Sequence, residues 1–127
     1  MRAIAMPIKT VEILHLASKL SKQENEVAHR SAVSRAYYAA YHHGIKVVER
    51  KLPSTKSSAY KGGCHQQLLQ KFFDGKSLTW QSIALQFNDL KKRRVVADYY
   101  LNKSVSMKQA EQSVVTARQI IDALDAA

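Results

Sequence analysis

LTWQSIALQFNDLKKRRVVADYYL, residues 78–101, carries Trp80, Ile83, Phe87, Leu90, Arg94, Ala97 and Leu101 at successive steps of 3, 4, 3, 4, 3 and 4. That spacing places all of these side chains on one face of an α-helix. Neither proline nor glycine interrupts the stretch. It predicts a long amphipathic helix, which has to bury its stripe against other elements. Arg94 is the exception in the series, a guanidinium in a slot where every neighbour is apolar. Burying that group unpaired is costly, so it needs a carboxylate, a carbonyl, a partner chain or a ligand. Asp98 stands one turn further on, on the same side. Two roles fit. The pair is an internal link that orients helices, or Arg94 is a cation held in a cleft for phosphate, whose oxyanions suit its fork of donors.

Outward from this helix the chain stays free of breakers. It holds two prolines, Pro7 and Pro53, and four glycines, Gly44, Gly62, Gly63 and Gly75. A first helix is expected over 10–22, with Ile13, Leu16 and Leu20 as its stripe. A second runs over 26–51 on Val33, Tyr37, Ala40, Gly44 and Val47, and ends at Leu52-Pro53 because proline disfavours helix in the residue before it. Residues 53–63, PSTKSSAYKGG, read as a mobile linker. A short helix follows over 64–73, stopped near Asp74-Gly75. The last helix begins at Ser106, where Ser106 and Gln109 have capping-box spacing, and carries Met107, Ala110, Val114, Ala117, Ile121 and Leu124. No strand is expected. The predicted fold is all-α: a single domain over 1–127, an up-and-down antiparallel four-helix bundle with a short additional helix.

Bulk properties narrow the function classes. Hydrophobic residues make up 46% and charged residues 24% of 127 residues, a globular balance in a chain of single-domain length. Twenty Lys and Arg against ten Asp and Glu leave a net charge of +10. The resulting field attracts polyanions, nucleic acid first among them. Cys64 is the one cysteine, which excludes an internal disulfide and a Cys-rich zinc site and fits a reducing, cytoplasmic setting. Lys9 and Glu12 interrupt the apolar stretch after Arg2 before it could act as a signal segment, and no apolar run reaches the roughly 18–20 residues of a membrane helix.

The candidate functional residues gather on two helices. Lys91, Lys92, Arg93 and Arg94 form a basic run, which concentrates positive charge although three of the four should be solvated. On the second helix Arg35 and His42 stand amid Tyr37, Tyr38 and Tyr41. They are seven residues apart, so they share a face at about 10.5 Å along the axis. His42 is suited to acid–base work near neutrality, or else is a polar edge residue beside core tyrosines. His65 opens the short helix after a glycine pair, as a surface cap or as a group leaning into a cleft. His15 and His29 read as surface positions. The histidines have no metal-ligand spacing, and no cofactor motif is present.

With these residues in view, SAVSRAYYAAYH (31–42), Cys64-His65 and LKKRRVVADYY (90–100) resemble the HEPN family. The likeness is to its small stand-alone branch, with a "SRAYYA-aromatic-H" second helix and an "R-x-x-ADY" fourth helix, and it covers roughly residues 10–125. It implies a two-fold homodimer and metal-independent ribonuclease activity in toxin–antitoxin or other defence systems. It also implies a small nucleotidyltransferase of the MNT type as partner. Arg94 matches the family's arginine. By the same analogy Tyr99 and Tyr100 are targets for modification by such a partner.

The sequence departs from the family where its active members carry Arg–x(4–6)–His. Tyr99 stands five residues after Arg94, and no histidine follows His65. Three functions therefore remain open. One is a non-catalytic module that binds RNA or a nucleotide, or pairs with a nucleotidyltransferase. Another is a divergent ribonuclease using Arg94 with His42 or His65. The last is a purely structural interaction domain.

Overall fold

The computed structural model describes residues 8–52 and 62–127. It contains α1 (Thr10–Ser21), α2 (Glu26–Lys51), α3 (Cys64–Asp74), α4 (Leu78–Tyr99) and α5 (Met107–Ala126), with no strand among the described residues. Most of the expected linker, residues 53–61, lies outside the described residues.

Short polar side chains start α2, α4 and α5 by satisfying amide donors that have no partner within the helix. Asn25 accepts from the Ala28 amide at 2.8 Å, and Ser77 from the Trp80 amide at 3.1 Å. Ser106 and Gln109 form the reciprocal capping box expected from their spacing.

Long-range hydrogen bonds fix the helix directions. Thr10, opening α1, bonds to His43 late in α2 at 2.9 Å. Ser34 on α2 donates to Asp98 near the end of α4 at 3.2 Å. Lys51, ending α2, donates to the carbonyls of Leu124 and Asp125 near the end of α5 at 2.9 and 2.8 Å. α1, α2, α4 and α5 therefore alternate in direction, and α3 is the short addition, as the sequence predicts.

The core is built around α2. Tyr37, Phe72, Phe87, Ile83, Leu90 and Leu14 are all buried in one cluster. Val33, Ala97, Val105 and Ala110 form a second, smaller cluster where α2 starts and α4 ends. The α2 stripe is buried as expected, including Gly44, where a Cβ would stand 2.8 Å from Phe72 Cζ.

Three apolar stripes differ from expectation. In α1, Leu14, Ala17 and Ser21 face inward while Leu16 is 47% exposed. Apolar residues surround much of that helix, and its contact with both α2 and α5 selects a face of smaller side chains. In α5, Ser113 and Ile120 are buried where Val114 and Ile121 were expected; Ser113 hides its hydroxyl by donating to the Gln109 carbonyl at 2.9 Å. In α4 the helix ends at Tyr99, leaving Leu101 exposed.

The cause of that last difference is Arg30. Its Nη1 donates to the carbonyls of Val96, Ala97 and Tyr100 at 3.3, 3.0 and 3.2 Å, and its Nη2 to the Lys103 carbonyl. A cation at a helix C-terminus satisfies orphan carbonyls and opposes the negative end of the dipole. The α3–α4 turn holds a further difference. Lys76, not Gly75, takes the left-handed conformation with φ 64°. Gly75 is required by space, since a Cβ there would come within 2.4 Å of Trp80.

Candidate functional site

Because α2 and α4 run antiparallel, residues one turn apart on α2 meet residues one turn apart on α4. Ser34 faces Asp98, and Tyr38 faces Arg94. Arg94 Nε donates to Asp98 Oδ2 at 3.0 Å, and Arg94 Nη2 donates to the Tyr38 hydroxyl at 3.0 Å. The pairing with Asp98 is the one the sequence suggests, but the hydroxyl of Tyr38 was not anticipated. The Arg94 side chain keeps 13% of its surface exposed.

Aromatic rings frame this cation. Arg94 Cζ lies 5.5, 5.3 and 5.6 Å from the ring centroids of Tyr37, Tyr38 and Tyr99, within cation–π range. Burial pulls the guanidinium pKa down, but Tyr38, Asp98 and Tyr99 outweigh it and the net shift is upward. The cation is permanent.

α3 brings His65 to the same place. Its ring lies 4.4 Å from that of Tyr41 and 5.9 Å from that of Tyr38. It is half-buried, not the surface cap that the sequence allows. Tyr37 Oη lies 2.6 Å from His65 Nδ1. Burial holds the Tyr37 phenol far above its ordinary pKa, with Arg94 only partly opposing this. The phenol therefore keeps its proton, and as a buried donor it gives that proton's hydrogen bond to Nδ1. His65 then carries its own hydrogen on Nε2. Burial lowers the His65 pKa, and the charges of Arg94, Lys91 and His42 lower it further. His65 is a neutral imidazole at pH 7. Burial, followed by the neighbouring Cys64 thiol, pushes Tyr41 up to about 12.

His42 is exposed and packs edgewise on Tyr41, with ring centroids 5.2 Å apart, and lies 6.1 Å from Tyr38. Arg94, His42 and His65 thus converge around Tyr38 from three helices. Lys91 joins their edge, donating to Gln66 Oε1 at 3.2 Å. Arg35 is exposed and lines one cleft with Tyr38 and His42, so Arg35 and His42 do share a face.

The other basic and aromatic candidates do not join the site. Lys92 is exposed. Arg93 is not simply solvated; it pairs with Asp89 at 2.8 Å and lines a cleft with Val33, Val96 and Val105, on another side of α4. Tyr100 faces Lys103, whose Nζ lies 5.5 Å from its ring. His29 corrects the surface expectation. It is 8% exposed, with Nε2 2.5 Å from the Gln23 carbonyl, because the α1–α2 turn folds back over it. His43 is also buried, 2.7 Å from Asp125, and links α1, α2 and α5 away from Arg94. Among the described residues no group of three His, Cys, Asp or Glu side chains could hold a metal ion.

No helix of the described residues is long and apolar enough to cross a membrane. No family model, no curated protein and no solved structure matches this chain.

Proposed function

We propose that this chain is a basic helical module that binds RNA or a nucleotide through phosphate at Arg94, as a HEPN-type component of a toxin–antitoxin or defence-like system. The observation that carries the proposal is the hold on Arg94. Asp98 and Tyr38 fix two nitrogens of its guanidinium, three tyrosine rings frame it, and a neutral imidazole stands beside it. A preoriented fork of donors suits a phosphate oxygen, and aromatic rings beside a cation suit stacked bases. The net charge of +10 adds long-range attraction for a polyanion. His65 favours binding over catalysis, since a neutral ring with its hydrogen on Nε2 donates to an oxyanion and does not abstract a proton. The HEPN resemblance supports seeking two protein partners, a second copy and an MNT-type nucleotidyltransferase.

Titration of isotope-labelled protein with a short single-stranded RNA tests this by NMR. Saturable shifts centred on Tyr38, His65 and the Arg94 Nε–H are expected. Shifts absent there, or scattered evenly over the basic surface, would overturn it.

A ribonuclease is the second reading, favoured by one feature, the approach of both His42 and His65 to Tyr38 beside Arg94. It predicts cleavage of a mixed RNA pool in EDTA that Arg94→Ala and His42→Ala abolish while the fold persists. Intact RNA after incubation with the wild type would count against it.

A further inference from the structure

The phosphate seat at Arg94 leaves unexplained the cleft on the other side of Tyr38. That cleft, about 590 Å³, opens between α1 and α2. Its volume lies within the range of roughly 300–1,000 Å³ typical of small-ligand sites. Ile13 and Leu16 supply its apolar wall, and Arg35, Tyr38 and His42 the opposite one, with Glu12 beside them. Leu16 remains 47% exposed, so nothing among the described residues covers this wall.

Tyr38 joins the two places. It lines the cleft, and its hydroxyl accepts from Arg94 Nη2 at 3.0 Å. A nucleotide whose phosphate sits on Arg94 therefore has an aromatic-edged apolar slot within reach of its base. Glu12 adds a means of discrimination. Its Oε2 accepts from the Lys9 amide at 2.7 Å, which leaves Oε1 for another donor. Carboxylates accept from the exocyclic amino group of a base such as cytosine. Arg35, exposed at the mouth, suits the next phosphate of a strand. At this cleft the occupant is a polyanion and not a second copy, because a two-fold contact centred here would set Arg35 against its own copy.

We infer that the α1–α2 cleft is a nucleobase subsite for single-stranded RNA: Tyr38 and His42 stack the base, Leu16 covers it, and Glu12 selects bases that carry an amino group. This deepens the assignment of phosphate to Arg94 and rests on it.

Fluorescence anisotropy with three labelled strands of equal length, oligo-C, oligo-U and a strand of abasic riboses, tests the inference on wild type, Leu16→Gln and Glu12→Gln. Glutamine at position 12 still serves a helix N-terminal capping position, so α1 should persist. Wild type should bind oligo-C about tenfold more tightly than the abasic strand, the scale of one stacked base. It should also prefer oligo-C to oligo-U. Leu16→Gln should bring oligo-C and the abasic strand within about twofold of each other, and Glu12→Gln should erase the preference for oligo-C over oligo-U. Equal, salt-sensitive binding of all three strands would overturn the subsite and leave the Arg94 assignment standing. Failure to bind any strand would overturn both. A change of oligomeric state in Leu16→Gln, with base dependence unaltered, would assign the cleft to contact between copies and also overturn the subsite.

Discussion

The Arg94 guanidinium donates to the Tyr38 hydroxyl across the α2–α4 contact at 3.0 Å. This bond ties the one cation of the α4 stripe to the aromatic edge of α2. Asp98, held in turn by Ser34, completes a polar seam between two otherwise apolar faces. The seam decides what the rest of the site can do, because His42 and His65 are both positioned by packing on Tyr38.

His65 should leave a signature in the pH dependence of stability. Its pKa is lowered in the folded state, first by burial and then by Arg94, Lys91 and His42. The unfolded chain, with histidine near 6.5, therefore binds its proton more readily. The stabilising contribution is complete above that value and is lost as pH falls toward the folded pKa. Thermal unfolding between pH 7.5 and 5 should show wild type losing more stability than His65→Gln. Parallel curves would contradict the assignment.

Arg30 should matter more to stability than its place outside the site suggests. Arg30→Met removes a charged donor from four carbonyls at and just beyond the end of α4, of which Val96 and Tyr100 keep a backbone donor, and leaves Glu26 without its partner at 2.9 Å. Hydrogen bonds from a charged donor contribute about 1.5–3 kcal/mol, so urea denaturation should show a loss of about 2–3 kcal/mol. Amide exchange should accelerate first around residues 100–104. Unchanged exchange there would mean that α4 ends for another reason.

Gly44→Ala should destabilise by about 1–2 kcal/mol, even though alanine is the better helix former by about 1 kcal/mol. The new Cβ would meet Phe72 Cζ at 2.8 Å, and Phe72 is fully buried. Chemical denaturation measures the difference directly. A stabilised variant would show that α3 can shift away from α2 at little cost.

The fold was legible because its main signals are local. The 3–4 spacing of Trp80, Ile83, Phe87 and Leu90, the Ser106–Gln109 box and Pro53 after Leu52 each act within a few residues. Where apolar residues surround a helix, as at Ile13, Leu14 and Leu16, the buried face is chosen by the partner helices and the local pattern cannot settle it. The site was legible in part. Arg94 stood out as a cation in an apolar series, and Asp98 as its neighbour one turn on. Tyr38, Ser34 and Arg30 did not, because their partners lie 56 or more residues away in sequence. His29 was misjudged for a related reason, since its burial comes from the turn at Gln23 and not from the α2 stripe.

The measurement that bears most directly on phosphate binding is the salt dependence of RNA affinity for wild type, Arg94→Ala and Arg94→Lys, with folding checked by circular dichroism. If Arg94 holds a phosphate, Arg94→Ala should weaken binding to all sequences alike and reduce the slope of log K against log salt by about one. Arg94→Lys should keep the slope and lose affinity, because lysine retains the charge without the fork. Affinity and slope in Arg94→Ala indistinguishable from wild type would contradict the account and leave Arg94 as a strut between α2 and α4.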